Sequence, residues 1–176
     1  MKKHIIATTI LTGLFSMFAC TELDREPVAG LSVSPMITAP GEGTALILTD
    51  ETAEDVVATF TWSAADYGFP AAVMYQLQLD VAGNDFAEPA SLGRTSGTQL
   101  SIITGELNSV LLNILDLGPD VAHSLEARVV GTLHDSLEAA VSDMISLTVT
   151  PYYIEVIYPV LYVPGSYQGW DPASAP

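Results

Sequence analysis

The chain of 176 residues has one cysteine and only five basic residues. With Cys20 as the only cysteine, an intrachain disulfide framework is excluded, even in a compartment that permits one. The shortage of bases excludes a nucleic-acid footprint, because 21 acids and a formal net charge of −16 repel phosphate. Electrostatic docking on anionic lipid is excluded on the same ground. Long apolar runs are missing too. Ile5 to Phe18 is interrupted by Thr8, Thr9, Thr12 and Ser16 and falls short of the roughly 20 residues that a membrane-spanning helix needs. There is no P-loop, no dinucleotide-binding glycine pattern and no Gly-x-Ser-x-Gly elbow. What remains is apolar enough to fold: 49% hydrophobic residues, in a length suited to one core.

The few bases are unevenly spread. Both lysines, Lys2 and Lys3, stand at the extreme N-terminus, which leaves Arg25, Arg94 and Arg128 for the rest of the chain. A positive start, a short apolar run and then Ala19-Cys20 read as a signal peptide over 1–19 that closes on a bacterial lipobox. Cys20 is then the lipidated N-terminus of the mature protein. An ordinary signal peptide with an incidental cysteine is the competing reading. Three acids follow within Thr21–Glu26, which resembles the acidic export tag of surface lipoproteins and also suits a solvated tether. Pro27, Gly30, Pro35 and Pro40 extend that tether, so residues 20–43 are expected to lift a domain off a membrane.

From about Ala45 the hydrophobic pattern has period two, the signature of strands with one buried face. Val56, Ala58, Phe60 and Trp62 share a face. Val73, Tyr75, Leu77, Leu79 and Val81 alternate with Met74, Gln76, Gln78 and Asp80. Leu100 and Ile102 repeat the pattern, as do Leu125, Ala127 and Val129, and then Ile145, Leu147 and Val149. Gly68-Phe-Pro70, Ala82-Gly-Asn-Asp85 and Gly118-Pro119 punctuate these runs. One helix is expected, with Leu107, Leu111, Ile114 and Leu115 on one face and Thr104 as its N-cap. Short strands with a single helix predict an all-β, antiparallel sandwich of immunoglobulin or fibronectin type III kind over 44–151, with Trp62 as a core plug. Residues 152–176, rich in tyrosine and ending in an aromatic, glycine-containing turn, read as the start of another domain, cut short.

The search for chemistry finds little. His123 and His134 lack a second ligand at metal spacing. Asp50, Glu51, Glu54 and Asp55 form a charged loop, and abundance alone does not place two carboxylates across a sugar. Asp80-Val-Ala-Gly-Asn-Asp85 departs from the EF-hand spacing and suits a hairpin turn with Gly83 and Asn84 at positive φ, although calcium is a second reading. No catalytic residue, metal site or cofactor is expected. Trp170, between Gly169 and Asp171, suits either a core position or a platform on which a sugar ring stacks.

Several segments together carry a resemblance. They are the lipobox at Cys20, Thr59-Phe-Thr-Trp-Ser63, Tyr75-Gln-Leu-Gln-Leu-Asp80, Gly83-Asn84-x-Phe86, Gly105-Glu-Leu-Asn108, Leu125-Glu-Ala-Arg-Val129 and Val163-Pro-Gly-Ser-Tyr-Gln-Gly-Trp-Asp-Pro172. In this order they resemble the SusE/SusF family of Bacteroidetes outer-membrane, starch-binding lipoproteins. The resemblance implies an N-terminal immunoglobulin-like domain followed by carbohydrate-binding modules. It implies a lipid-anchored, cell-surface protein that binds starch or a related polysaccharide beside a TonB-dependent importer and neighbouring lipoproteins, without cleaving it. It carries one sugar-contacting position, Trp170, onto this chain; the family's other sugar contacts lie in later modules. A module that docks to the importer complex without holding glycan is the alternative.

Overall fold

The computed structural model describes residues 30–155, 166 and 169–171. Alternation turns into burial most clearly along β4 (Met74–Val81), where Tyr75, Leu77 and Leu79 are buried and Gln76 and Gln78 face outward. Its partners are β5 (Ala90–Thr95) on one side and β7 (His123–Thr132) on the other, both antiparallel. β7 also pairs with β8 (Ala140–Val141) and β9 (Ile145–Thr150), and β9 pairs in parallel with β2 (Thr44–Ile47). This sheet runs β2-β9-β7-β4-β5. A second sheet, β1-β3-β6, is built from β1 (Ile37–Ala39), β3 (Val56–Trp62) and β6 (Gln99–Ile103). Its strands are antiparallel. The expected all-β sandwich is therefore present, with one parallel pairing that the antiparallel reading did not contain.

The two inner faces share one core. Phe60, Trp62 and Ile102 come from the smaller sheet, and Tyr75, Leu77, Leu79, Leu125, Val129, Leu147 and Val149 from the larger. Each such side chain stabilises the fold by about 1.5–3 kcal/mol relative to exposure. Trp62 is the plug expected of it, 4% exposed and tilted at 58° to Tyr75 with ring centroids 5.8 Å apart. Among the described residues its Nε1 is the one buried side-chain polar atom without a hydrogen-bond partner. Gly131 sits opposite Tyr75 in the β4–β7 ladder. A Cβ there would lie 3.0 Å from both the Tyr75 ring and a Val73 methyl, so the close approach of that ring requires glycine.

Helix α1 (Thr104–Asn113) links β6 to β7 and closes the core with Leu107 and Leu111. The N-cap is Ile103 and not Thr104. Thr104 is instead the first helical residue, its hydroxyl and amide both donating to the Asp55 carbonyl at 3.1 and 2.9 Å. Gly105 N donates to the Ala53 carbonyl at 2.9 Å, so the preceding loop satisfies the helix start that a capping side chain would otherwise serve. Ile114 falls just beyond the helix and is 62% exposed, against the buried face expected for it.

Three other expectations change. The segment expected as tether up to residue 43 enters the sandwich early: Val33 bridges Asp66, and Ile37 and Ala39 pair with β3. Val56 is exposed because an irregularity between Val56 and Ala58 in the β3–β6 register breaks the alternation there. Asp80, expected on the solvent face, is 1% exposed.

Candidate functional site

Asp80 is buried because the loop after β4 folds back over it. Its carboxylate accepts from the Val81 amide at 2.7 Å and from Asn84 Nδ2 at 3.1 Å to each oxygen. Those hydrogen bonds tie the carboxylate to its own turn. Gly83 has φ +82°, but the other positive-φ residues of the turn are Asp85 and Phe86, not Asn84. Among the described residues no group of three or more histidine, cysteine, aspartate or glutamate side chains could hold a metal. His123 opens β7 and His134 lies two residues past its end, so the length of the strand separates them. His123 Nε2 bonds to the Gly118 carbonyl at 2.8 Å, and His134 Nδ1 to the Ser136 hydroxyl at 2.8 Å.

Trp170 is 68% exposed, on a turn where Gly169 and Trp170 have φ of +68° and +64°. An exposed indole on a tight turn suits stacking, but among the described residues no second ring stands beside it. Cys20 and the leader lie outside the described residues.

What the fold does bring together is a set of amides and guanidinium groups on the outer face of the larger sheet. Gln76 opposes Arg94 in the β4–β5 ladder, and Gln78 opposes Arg128 in the β4–β7 ladder. Arg94 Nη2 donates to Gln76 Oε1 at 3.3 Å, and Arg128 Nε to Gln78 Oε1 at 2.8 Å. Arg128 also lies 4.1 Å over the centre of the Phe86 ring, a cation–π contact. Among the described residues neither arginine has a carboxylate within 4.0 Å, in a chain with 21 acids. At the Arg94 end of this face is a cleft of about 380 Å³, lined by Met74, Gln76, Arg94, Thr132, His134 and Asp135 among others. The signal was present in the sequence: two glutamines spaced by two on the polar side of the most regular strand, and only two arginines after residue 25.

The chain leaves the sandwich under firm control. The Asn108 side chain is fully buried and bonds to the Tyr152 backbone twice, donating to its carbonyl at 3.1 Å and accepting from its amide at 2.9 Å. The Asp120 amide donates to the Pro151 carbonyl at 2.8 Å. Burial, with Asp50 and Glu54 nearby, pushes the Tyr152 hydroxyl above its ordinary pKa.

A family model described as SusE outer membrane protein matches residues 24–130. The chain belongs to the SusE outer membrane protein family. The match takes in the smaller sheet, α1, and β2, β4, β5 and most of β7 of the larger sheet, and ends before β8 and β9. The SusE assignment supports an outer-membrane location. Among solved structures, the chain is similar to titin kinase with its flanking domains at 16% identity and a TM-score of 0.36, covering 66% of this chain. It spans 16% of that titin chain's length. It is also similar to a human fibronectin type III domain solved in solution, at 14% identity and a TM-score of 0.38, with 79% of this chain and 87% of that one covered. A comparison with curated proteins finds no match.

Proposed function

We infer that the protein is a non-catalytic surface lipoprotein of a glycan capture and uptake system. The SusE family match over residues 24–130 carries this reading. In it, Cys20 is acylated and holds the chain in the outer membrane, facing outward. The sandwich acts as a rigid spacer, and starch or a related polysaccharide is held by carbohydrate-binding surfaces that follow it, with Trp170 as one stacking position. Two features support the spacer role. The core is continuous between the sheets. The Asn108 clamp fixes the backbone at Tyr152, where the chain leaves the last strand. Several weak sites on one anchored chain raise the local concentration of a polymeric ligand without any covalent step.

The test is affinity electrophoresis of the protein released from its own outer membrane, in gels containing amylopectin or other polysaccharides. Retardation by at least one glycan is expected. Recovery with an importer complex and no retardation in any gel would contradict glycan capture and favour the docking module. Cys20→Ala is expected to move the protein out of the membrane fraction.

A further inference from the structure

The cleft beside Arg94 has the chemistry of a binding site. Arg94 is exposed and uses one of its five N–H donors on Gln76. Asp135 lines the same cleft, yet no carboxylate of the described residues pairs with Arg94. His134 adds a second donor. The Ser136 backbone amide donates to its Nδ1 at 3.1 Å, so Nδ1 is the acceptor and the proton of the neutral ring sits on Nε2. No described residue bonds that Nε2. Thr132, at the end of β7 opposite Met74, adds a hydroxyl. A forked guanidinium and an imidazole N–H with no protein acceptor suit a ligand carboxylate, which a guanidinium binds through two parallel charge-assisted bonds. Gln76, Thr132 and Asp135 offer both donors and acceptors, which suits hydroxyls. Screening over about 8 Å at physiological salt weakens the distant acids, so the local charges at the cleft are those of Arg94 and Asp135.

We propose that this cleft binds an acidic sugar, with Arg94 and His134 holding its carboxylate and Gln76, Thr132 and Asp135 meeting its hydroxyls. The carboxylate part rests on the cleft alone; the sugar part rests on the glycan-capture reading above. The site belongs to the sandwich itself and is separate from Trp170.

The test is an NMR titration of the ¹⁵N-labelled full chain with trigalacturonate, with maltotriose and sodium acetate as comparisons. Trigalacturonate is expected to shift the amides of Arg94, Thr132 and His134 with a Kd of about 1 mM, the range of a small polar site. Maltotriose is expected to leave them in place, and acetate to bind at least about tenfold more weakly, having no hydroxyls to add. Arg94→Gln is expected to weaken trigalacturonate by about tenfold or more while its spectrum stays dispersed. His134→Ala is expected to weaken it by less. The proposal is overturned if no cleft amide moves at about 10 mM trigalacturonate, or if Arg94→Gln binds like the parent. Equal shifts from maltotriose overturn the carboxylate contact, and equal affinity for acetate overturns the sugar contact. Retardation in polysaccharide gels with no response to trigalacturonate would overturn the cleft alone and leave the capture reading standing.

Discussion

The two outer faces of the sandwich follow the same alternation and end up chemically unlike. On the three-stranded sheet four short hydroxyl side chains pair with one another across the strands. Thr38 Oγ1 lies 2.8 Å from Thr61 Oγ1, and Thr59 Oγ1 lies 3.0 Å from Ser101 Oγ. On the larger sheet Gln76, Gln78, Arg94 and Arg128 are long, and among the described residues no acid takes up the remaining guanidinium donors. Cross-strand hydroxyl pairs contribute a few tenths of a kcal/mol and leave a neutral surface. An arginine held by a glutamine contributes little to stability at an exposed site and leaves a directed charge. The comparison teaches that a polar sheet face is not one thing: one of these faces is closed on itself, and the other is open to a partner.

The largest test asks whether the inner faces are as alike as the outer ones are different. Phe60→Ala in the smaller sheet is expected to cost about 3–5 kcal/mol, and Leu77→Ala in the larger about 2–5 kcal/mol. Urea unfolding is expected to show one transition in each variant. A loss under about 1 kcal/mol at either position would separate that sheet from the shared core. Asn108→Ala comes next, at about 1–3 kcal/mol, because it strands the buried amide and carbonyl of Tyr152. Faster hydrogen exchange at the Tyr152 amide would report the loosened exit directly.

Smaller effects sharpen the outer comparison. Thr59→Val with Ser101→Val is expected to change stability by no more than about 1 kcal/mol and to leave trigalacturonate binding unchanged. Arg94→Gln is expected to stay within about 0.5 kcal/mol of the parent while losing the ligand. The smallest effect is a pH dependence at Glu42, on the turn between β1 and β2. Hydrogen bonds from the Ser146 hydroxyl and amide hold its carboxyl below the ordinary glutamate pKa. A depressed folded-state value contributes stability above the ordinary carboxylate range and loses it as pH falls through the folded value. The melting temperature of Glu42→Gln is therefore expected to lie below the parent's at pH 7. The gap should close in acid, below about pH 4.

Strands that bury one face were legible because alternation is all they need. β4, β7 and β9 show it residue by residue. What alternation does not encode was missed. β1 is a short edge strand between Pro35 and Pro40, placed by its pairing with β3. Asp80 sits at an outward position but is covered by the turn that follows it. The start of α1 is satisfied by a loop about 50 residues earlier in the chain, so Thr104 did not need to cap it. The arginine–glutamine face was hidden for the same reason. Each residue is unremarkable along its own strand, and only the cross-strand register sets Gln76 against Arg94 and Gln78 against Arg128. Gly105-Glu-Leu-Asn108 was recognisable as a segment, but the role of Asn108 depends on Tyr152, which lies 44 residues away.

The most direct test of an anchored, glycan-holding protein uses intact cells. Cells carrying the wild-type chain, cells carrying Cys20→Ala and cells lacking the chain would be incubated with a panel of fluorescent neutral and acidic polysaccharides, and surface retention measured. The account predicts that at least one polysaccharide is held by the wild-type cells and released by the other two. Equal retention by all three, across the whole panel, would contradict it.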